Sequence, residues 1–167
     1  NVRRQSLSSK TMLSANSSAR PNTIVSRSSV KSNNLVSTTP MKDETLSITN
    51  ETKGKLPRLP FLDLKNAILG KKYELSIAYL NPTKAKKFNI AYRQKDYATD
   101  ILSFPLTKTS GEIILCPKIV AKKAAEFSMT EKKYNVFIVI HGMLHLKGYE
   151  HGSRMERAEK VYLRRFS

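Results

Sequence analysis

Residues 131–151 read EKKYNVFIVIHGMLHLKGYEH, an apolar segment that leads into all three histidines of the chain. The spacing of His141, His145 and His151 is His-x-x-x-His-x-x-Gly-x-x-His. Histidines four residues apart project from one face of a helix, and Gly148 predicts a left-handed turn that ends this helix and brings His151 back. Three neutral imidazoles leave a fourth coordination position open, which is typical of a catalytic zinc site rather than a structural one.

The competing interpretation is that these histidines are packed core residues, as a lone histidine on an apolar helix usually is. The shared spacing and the glycine favour the metal site. Zinc proteases with this spacing carry a glutamate directly after the first histidine as their general base. Here that position is Gly142, and Glu150 belongs to the turn rather than to the helix. The pattern therefore indicates a metal site without the usual proteolytic base.

The charge of the chain is strongly positive and unevenly distributed. Residues 1–40 contain six basic residues and no acidic one, whereas residues 41–167 contain 24 basic and 13 acidic residues, a net charge of +11. This excess predicts a polyanionic partner, with nucleic acid favoured over generic solubility or anionic lipid.

The only cysteine, Cys116, excludes an intramolecular disulfide, fits a reducing compartment and is expected to be a small buried side chain. No apolar run reaches the length of a membrane span, so no membrane partner is expected.

The composition divides the chain into a tail and one domain. Residues 1–44 are rich in Ser, Asn and Thr without sustained periodicity, which predicts a disordered basic tail. An organellar transit peptide has a similar Ser- and Arg-rich, acid-poor composition. We favour a dispensable tail, for which Met41 could be the natural start, and a cytoplasmic protein of the bacterial type. Residues 45–167 are long enough for one domain with its own core.

Strand and helix patterns mix in this domain without strict alternation. They predict an α+β (mixed α/β) fold in which a mixed sheet of roughly four strands is layered with helices, and in which the metal-binding helix ends in a glycine turn. Pro105 predicts that its strand lies at the sheet edge or ends there. The predicted strands are residues 46–49, 73–80, 101–106 and 111–116, and the predicted helices are residues 57–69, 82–92, 118–127, a helix capped by Ser128 or Thr130 that carries two of the histidines, and residues 154–166.

A second informative stretch, residues 89–105, reads NIAYRQKDYATDILSFP. Most arginines shortly before a strand are solvated, but near a metal Arg93 could hold a phosphate through two hydrogen bonds. Together with Gly111-Glu112-Ile113 and the histidine run, this stretch resembles the signatures of the YbeY family. The resemblance covers residues 45–167. It implies a zinc-dependent endoribonuclease that cuts single-stranded RNA, matures the 3′ end of the small-subunit ribosomal RNA and acts in ribosome quality control.

The resemblance also implies the roles of individual residues. His141, His145 and His151 match the zinc ligands, with one Zn²⁺ per chain, and Arg93 matches the functionally important arginine. The metal would activate a water and polarise the phosphate, while Arg93 would stabilise the charge of the transition state. This chain departs from the family by carrying glutamate for aspartate at position 112 and at position 150, which puts in doubt the hydrogen bonds of these carboxylates but not the zinc ligands.

The sequence leaves the RNA contacts and two other functions open. Phe104 and Tyr149 could stack on bases, although core packing is the more common role of such rings. A zinc peptidase of the metzincin type shares the histidine spacing but is opposed by Gly142 and by the basic charge. A non-catalytic ribosome-assembly factor, whose zinc stabilises the fold and whose basic face binds ribosomal RNA, needs the same residues as the nuclease.

Overall fold

The computed structural model describes residues 44–167, so the tail predicted for residues 1–44 lies, apart from Glu44, outside the described residues. This part of the chain forms four strands and five helices. In chain order they are β1 (Leu46–Asn50), α1 (Phe61–Ile68), β2 (Glu74–Tyr79), α2 (Pro82–Arg93), β3 (Ile101–Pro105), β4 (Ser110–Leu115), α3 (Pro117–Glu126), α4 (Glu131–Leu146) and α5 (Ser153–Phe166).

The four strands form one mixed sheet with the order β1-β2-β4-β3. Strands β1, β2 and β4 are parallel, with Leu46 opposite Leu75 and Leu75 opposite Gly111, whereas β3 runs antiparallel to β4. The predicted α+β fold with a four-stranded mixed sheet is confirmed. The position of β3 at the edge also confirms the prediction from Pro105, because proline cannot donate a hydrogen bond to a second neighbour.

The two faces of the sheet bury separate clusters, as the alternation of side chains along a strand requires. The larger cluster joins the sheet to α1, α3, α4 and α5, and it includes Ile77, Ile113 and Ile140. The smaller cluster contains Ala78, Leu80, Leu102 and Ile114 and is packed by Phe88 of α2. Helix α2 therefore covers one face, and the helix that carries two of the histidines covers the other.

The helix ends follow local sequence signals. The side chains of Asn81 and Thr130 accept hydrogen bonds from the third amides of α2 and α4, at 3.0 and 3.2 Å. Helix α1 is shorter than the predicted 57–69 and begins at Phe61. A proline disfavours the helical conformation of the residue before it, so Pro57 and Pro60 delay the start of this helix. Among the described helices, none has both the length and the apolar character needed to cross a bilayer.

Candidate metal centre

The three histidines converge where α4 ends and the chain reverses. The amide of Gly148 donates to the His145 carbonyl at 2.9 Å, and the amide of Tyr149 donates to the Leu144 carbonyl at 3.0 Å. Gly148 has a φ of 89°. These two hydrogen bonds and the left-handed glycine form a Schellman motif, so the predicted glycine turn is confirmed. The turn directs His151 back to the helix face from which His141 and His145 project.

The imidazole nitrogens of the three side chains face one another. One nitrogen of each of His141, His145 and His151 lies within 4.8 Å of the others, and this is the group of potential metal ligands in residues 44–167. The two Nε2 atoms on α4 are 3.1 Å apart. The ring of His151 has its centroid 5.2 Å from that of His141 and 4.6 Å from that of His145. The structure thus brings together all three side chains that the sequence singled out as metal ligands.

The second nitrogen of each helical histidine has a partner that orients its ring. His141 Nδ1 lies 2.7 Å from Glu159 Oε1 on α5, and both side chains are largely buried. His145 Nδ1 lies 2.9 Å from the Tyr149 carbonyl oxygen. A carbonyl and a carboxylate only accept hydrogen bonds, so both Nδ1 atoms carry the proton. In the neutral rings both Nε2 atoms are then bare lone pairs, which is the form that binds a metal.

The surroundings of the cluster favour neutral imidazoles. Burial first, and then the positive charge of a protonated His141, lower the pKa of His145 to about 4, and the hydrogen bond to the Tyr149 carbonyl only partly opposes them. Burial is also the largest cause that lowers the pKa of His151. Both rings are therefore uncharged near pH 7 and can coordinate a cation without first losing a proton.

The donor set fits a zinc ion. Two bare Nε2 atoms at 3.1 Å repel each other unless a cation lies between them. Two nitrogens at zinc–nitrogen distances of about 2.0–2.1 Å and a tetrahedral angle are about 3.3 Å apart, close to the observed separation. With His151 as third donor, the group offers three imidazoles and no further ligand from the protein among the described residues. This composition matches a zinc site with an open position.

Arg93 is the half-buried last residue of α2. Its positive charge contributes to lowering the pKa of both His145 and His151. The guanidinium therefore lies within electrostatic reach of the cluster, although α2 covers the opposite face of the sheet. The left-handed conformation of Gln94, with a φ of 55°, ends the helix directly after this arginine.

Gly142, where zinc proteases carry their glutamate, faces the edge strand at close range. A Cβ added there would lie 2.5 Å from Ile101 Cδ1 and 2.9 Å from Ser103 Oγ. Contacts below 3.0 Å require the neighbours to move, and a glutamate would add four more heavy atoms beyond the Cβ. A side chain at position 142 would therefore require Ile101 and Ser103 of β3 to shift, which disfavours a proteolytic base here.

The remaining residues from the sequence motifs lie outside the cluster. Glu112 is buried, and burial raises the pKa of its carboxyl group. Ile114, two residues further along β4 and so on the same face of the sheet, belongs to the cluster that α2 covers. Phe104 is half-buried and packs edge-on against Tyr92. Tyr149 is half-buried against the larger core cluster and lies beneath the guanidinium of Arg154, at 4.8 Å. Glu150 is exposed, and Cys116 is fully buried as expected.

Sequence reasoning missed Glu159. Helix α5 turns Met155, Tyr162 and Phe166 toward the core, and Glu159 lies on the same stripe at the helical spacing. A carboxylate on the core-facing side of an amphipathic helix needs a buried partner. The carboxylate of Glu159 at a core-facing position was therefore the feature that could have identified this residue. The sequence does not show which side chain the carboxylate contacts.

Comparisons with known proteins agree with the sequence motifs. A family model described as "Endoribonuclease YbeY" matches residues 39–166. A Finegoldia magna protein named Endoribonuclease YbeY is 35% identical over 99 residues, which cover 55% of this chain and 63% of that protein. Its namesake from Neisseria meningitidis is 39% identical over 89 residues and is covered over 52% of its length. The Bdellovibrio bacteriovorus relative of the same name is 32% identical over 129 residues, which cover 69% of this chain and 86% of that protein.

A solved structure is similar in fold and in sequence. The solution structure of TM1509 from Thermotoga maritima has a TM-score of 0.51 and 33% sequence identity, over 71% of this chain and 86% of that chain.

Proposed function

Because this chain belongs to the YbeY family, we propose that it is a zinc-dependent endoribonuclease that hydrolyses phosphodiester bonds in single-stranded RNA. Its proposed substrate is ribosomal RNA, with the 3′ end of the small-subunit RNA as the site of maturation. The small ribosomal subunit is the proposed partner, ribosome quality control is a second role, and the cytoplasm is the proposed compartment. The net charge of +11 over residues 41–167 supports a polyanionic substrate.

The observation that carries this proposal is the convergence of three imidazole nitrogens within 4.8 Å of one another. Zinc, when bound, supplies Lewis-acid chemistry that polarises a phosphoryl oxygen and makes water a better nucleophile near neutral pH. Glu159 and the Tyr149 carbonyl accept the Nδ1 protons of the two helical histidines, so the Nε2 lone pairs keep their direction. Arg93 stabilises the negative charge that builds on the phosphate in the transition state.

Replacing His145 by alanine tests the metal centre. The variant removes one of three ligands, and we expect zinc affinity to fall by more than about 100-fold and RNA cleavage to fall to the level seen with chelator. Zinc stoichiometry and cleavage of a labelled single-stranded RNA are measured on protein whose folding is checked by circular dichroism. Lys147→Ala, an exposed change at the same helix end, is the matched control. Retention of both zinc and cleavage in a folded His145→Ala protein contradicts the proposal.

Arg93→Ala separates the role of the arginine from that of the metal. The variant should keep one zinc per chain but lose about 10²–10³-fold in kcat, because a cation at the developing charge is removed. Arg93→Lys keeps the charge without the bidentate fork and should recover only part of the rate. Full activity of Arg93→Ala removes this residue from the proposed chemistry.

The two alternative functions predict different assay results. A peptidase is opposed by the packing of Gly142 against β3, and cleavage of casein but not RNA, abolished by chelator, would favour it. A non-catalytic assembly factor would retain RNA binding and its ribosome phenotype in a folded, zinc-free variant.

A further inference from the structure

A shallow groove runs between the N-terminal end of α4 and the C-terminal end of α5. We call it the α4–α5 groove, and it is lined by Lys133, Lys160, Leu163, Arg164 and Ser167. Its three cationic side chains are all exposed, whereas Leu163 is half-buried and forms part of the floor.

The groove lies on the same two helices as His141 and Glu159. Glu159, the partner of His141, immediately precedes Lys160 on α5. Along α4, His141 is eight residues from Lys133, a distance of about 12 Å at the rise of an α-helix. The half-buried ring of Phe137 lies between them, with its centroid 6.1 Å from the His141 ring. The three cations therefore lie on the two helices that also carry His141 and its partner Glu159, with Phe137 between Lys133 and His141 along α4.

The positive charge of this surface is not neutralised within residues 44–167. The ion pairs found there use other lysines, such as Lys84 with Glu51 and Lys123 with Asp100. None of them involves a cation of the α4–α5 groove. Lys160 and Arg164 are one helical turn apart and reinforce each other. An uncompensated row of cations beside a phosphodiester-cleaving centre attracts successive phosphates of one strand.

We propose that the α4–α5 groove holds the part of a single-stranded RNA that extends from the cleaved bond. This inference rests on the proposed nuclease function and adds a binding track to it. At about 3.4 Å per stacked nucleotide, the distance of about 12 Å accommodates three or four nucleotides. Lys133, Lys160 and Arg164 contact phosphates, and the apolar floor with Phe137 lies against bases or sugars without reading their sequence.

The test compares the double variant Lys160→Ala/Arg164→Ala with Lys84→Ala/Lys87→Ala, which removes two cations from α2 on the opposite face of the sheet. For the groove variant we expect KM for a 12-nucleotide single-stranded RNA to rise roughly tenfold with kcat unchanged, and the slope of log K against log salt to shrink by about 1.4. A dinucleotide substrate, which carries only the cleaved bond and does not extend into the groove, should show an unchanged KM. The control variant should behave as wild type with both substrates.

Two results would overturn the groove assignment. One is a wild-type KM and salt slope in the groove variant; the other is an equal loss in the α2 control, which would make the effect one of overall charge. Failure of the proposed function gives a different result, namely wild-type protein with zinc that binds the 12-nucleotide RNA but does not cleave it. Anisotropy of the labelled 12-nucleotide RNA measures binding in that case and still tests the groove.

Discussion

The two ends of α4 hold their polar groups in opposite ways. At the N-terminal end, the buried Asp100 carboxylate meets the Lys123 ammonium at 2.7 Å and the Tyr134 hydroxyl at 2.9 Å. At the C-terminal end, His141 and His145 direct two bare nitrogens at each other at 3.1 Å. The first group is complete in charge and hydrogen bonds, whereas the second requires a cation from outside the chain.

This difference separates the structural end of the helix from the functional end. A satisfied buried network stabilises one arrangement of α3, β3 and α4 and leaves nothing for a ligand to contact. An array of lone pairs without a cation costs stability, and binding of the ion to the folded state recovers it. The N-terminal end thus anchors the helix that presents the histidines.

The largest expected effect concerns Asp100. Asp100→Ala leaves Lys123 and Tyr134 without their partner, and we expect the free energy of unfolding to fall by about 3 kcal/mol in zinc-free protein. Urea titration measures this loss, and the folded variant should still bind one zinc. Glu126→Ala, which removes one member of the exposed Lys122–Glu126 pair, is the control and should cost less than about 0.5 kcal/mol. A loss of zinc stoichiometry in folded Asp100→Ala protein would show that the two ends are not independent.

At the C-terminal end of α4, Glu159→Gln should change zinc affinity rather than stability, and this effect is smaller. The variant weakens the charged hydrogen bond to His141 Nδ1, and we expect zinc affinity to fall by about 10–100-fold while the zinc-free stability changes little. Competition with a chelating dye measures the affinity. Glu156→Gln makes the same change of charge at an exposed position of α5. Equal losses in both variants would mean that net charge, rather than the contact with His141, sets the affinity.

The smallest effect is the response of the N-terminal network to acid. Burial acts to raise the pKa of Asp100, but the Lys123 charge and the hydrogen bonds from Lys123 and Tyr134 outweigh it and hold the pKa below the usual 3.8. A depressed folded-state pKa contributes stability that is present above pH 3.8 and is lost as pH falls through the folded value. The free energies of unfolding of wild type and Asp100→Asn, measured by urea titration, should therefore approach each other as pH falls below 3.8. A constant difference down to pH 2 would contradict the assignment.

Much of the fold and of the candidate site follows from local patterns. All four strands and the helices after α1 lie within a few residues of their predicted bounds, because alternation, capping residues and prolines act over a few positions. The convergence of His141, His145 and His151 follows from the helical spacing of the first two and from the glycine turn that reverses the chain before the third. The predicted start of α1 at Pro57 is wrong, because the apolar spacing includes Leu59, whose helical conformation the following Pro60 disfavours.

The sequence by itself determined the ligand set, the turn that assembles it and the order of strands and helices, since each depends on residues close together in the chain. Only the tertiary structure decided which distant groups the buried polar side chains contact. Glu159 meets His141 across 18 positions, and Tyr134 meets Asp100 across 34. Gly142 lies close to the side chains of Ile101 and Ser103 on β3, which pack against α4. Such contacts depend on how helices pack on the sheet, and periodicity along one element carries no information about which distant side chain its polar residues will face.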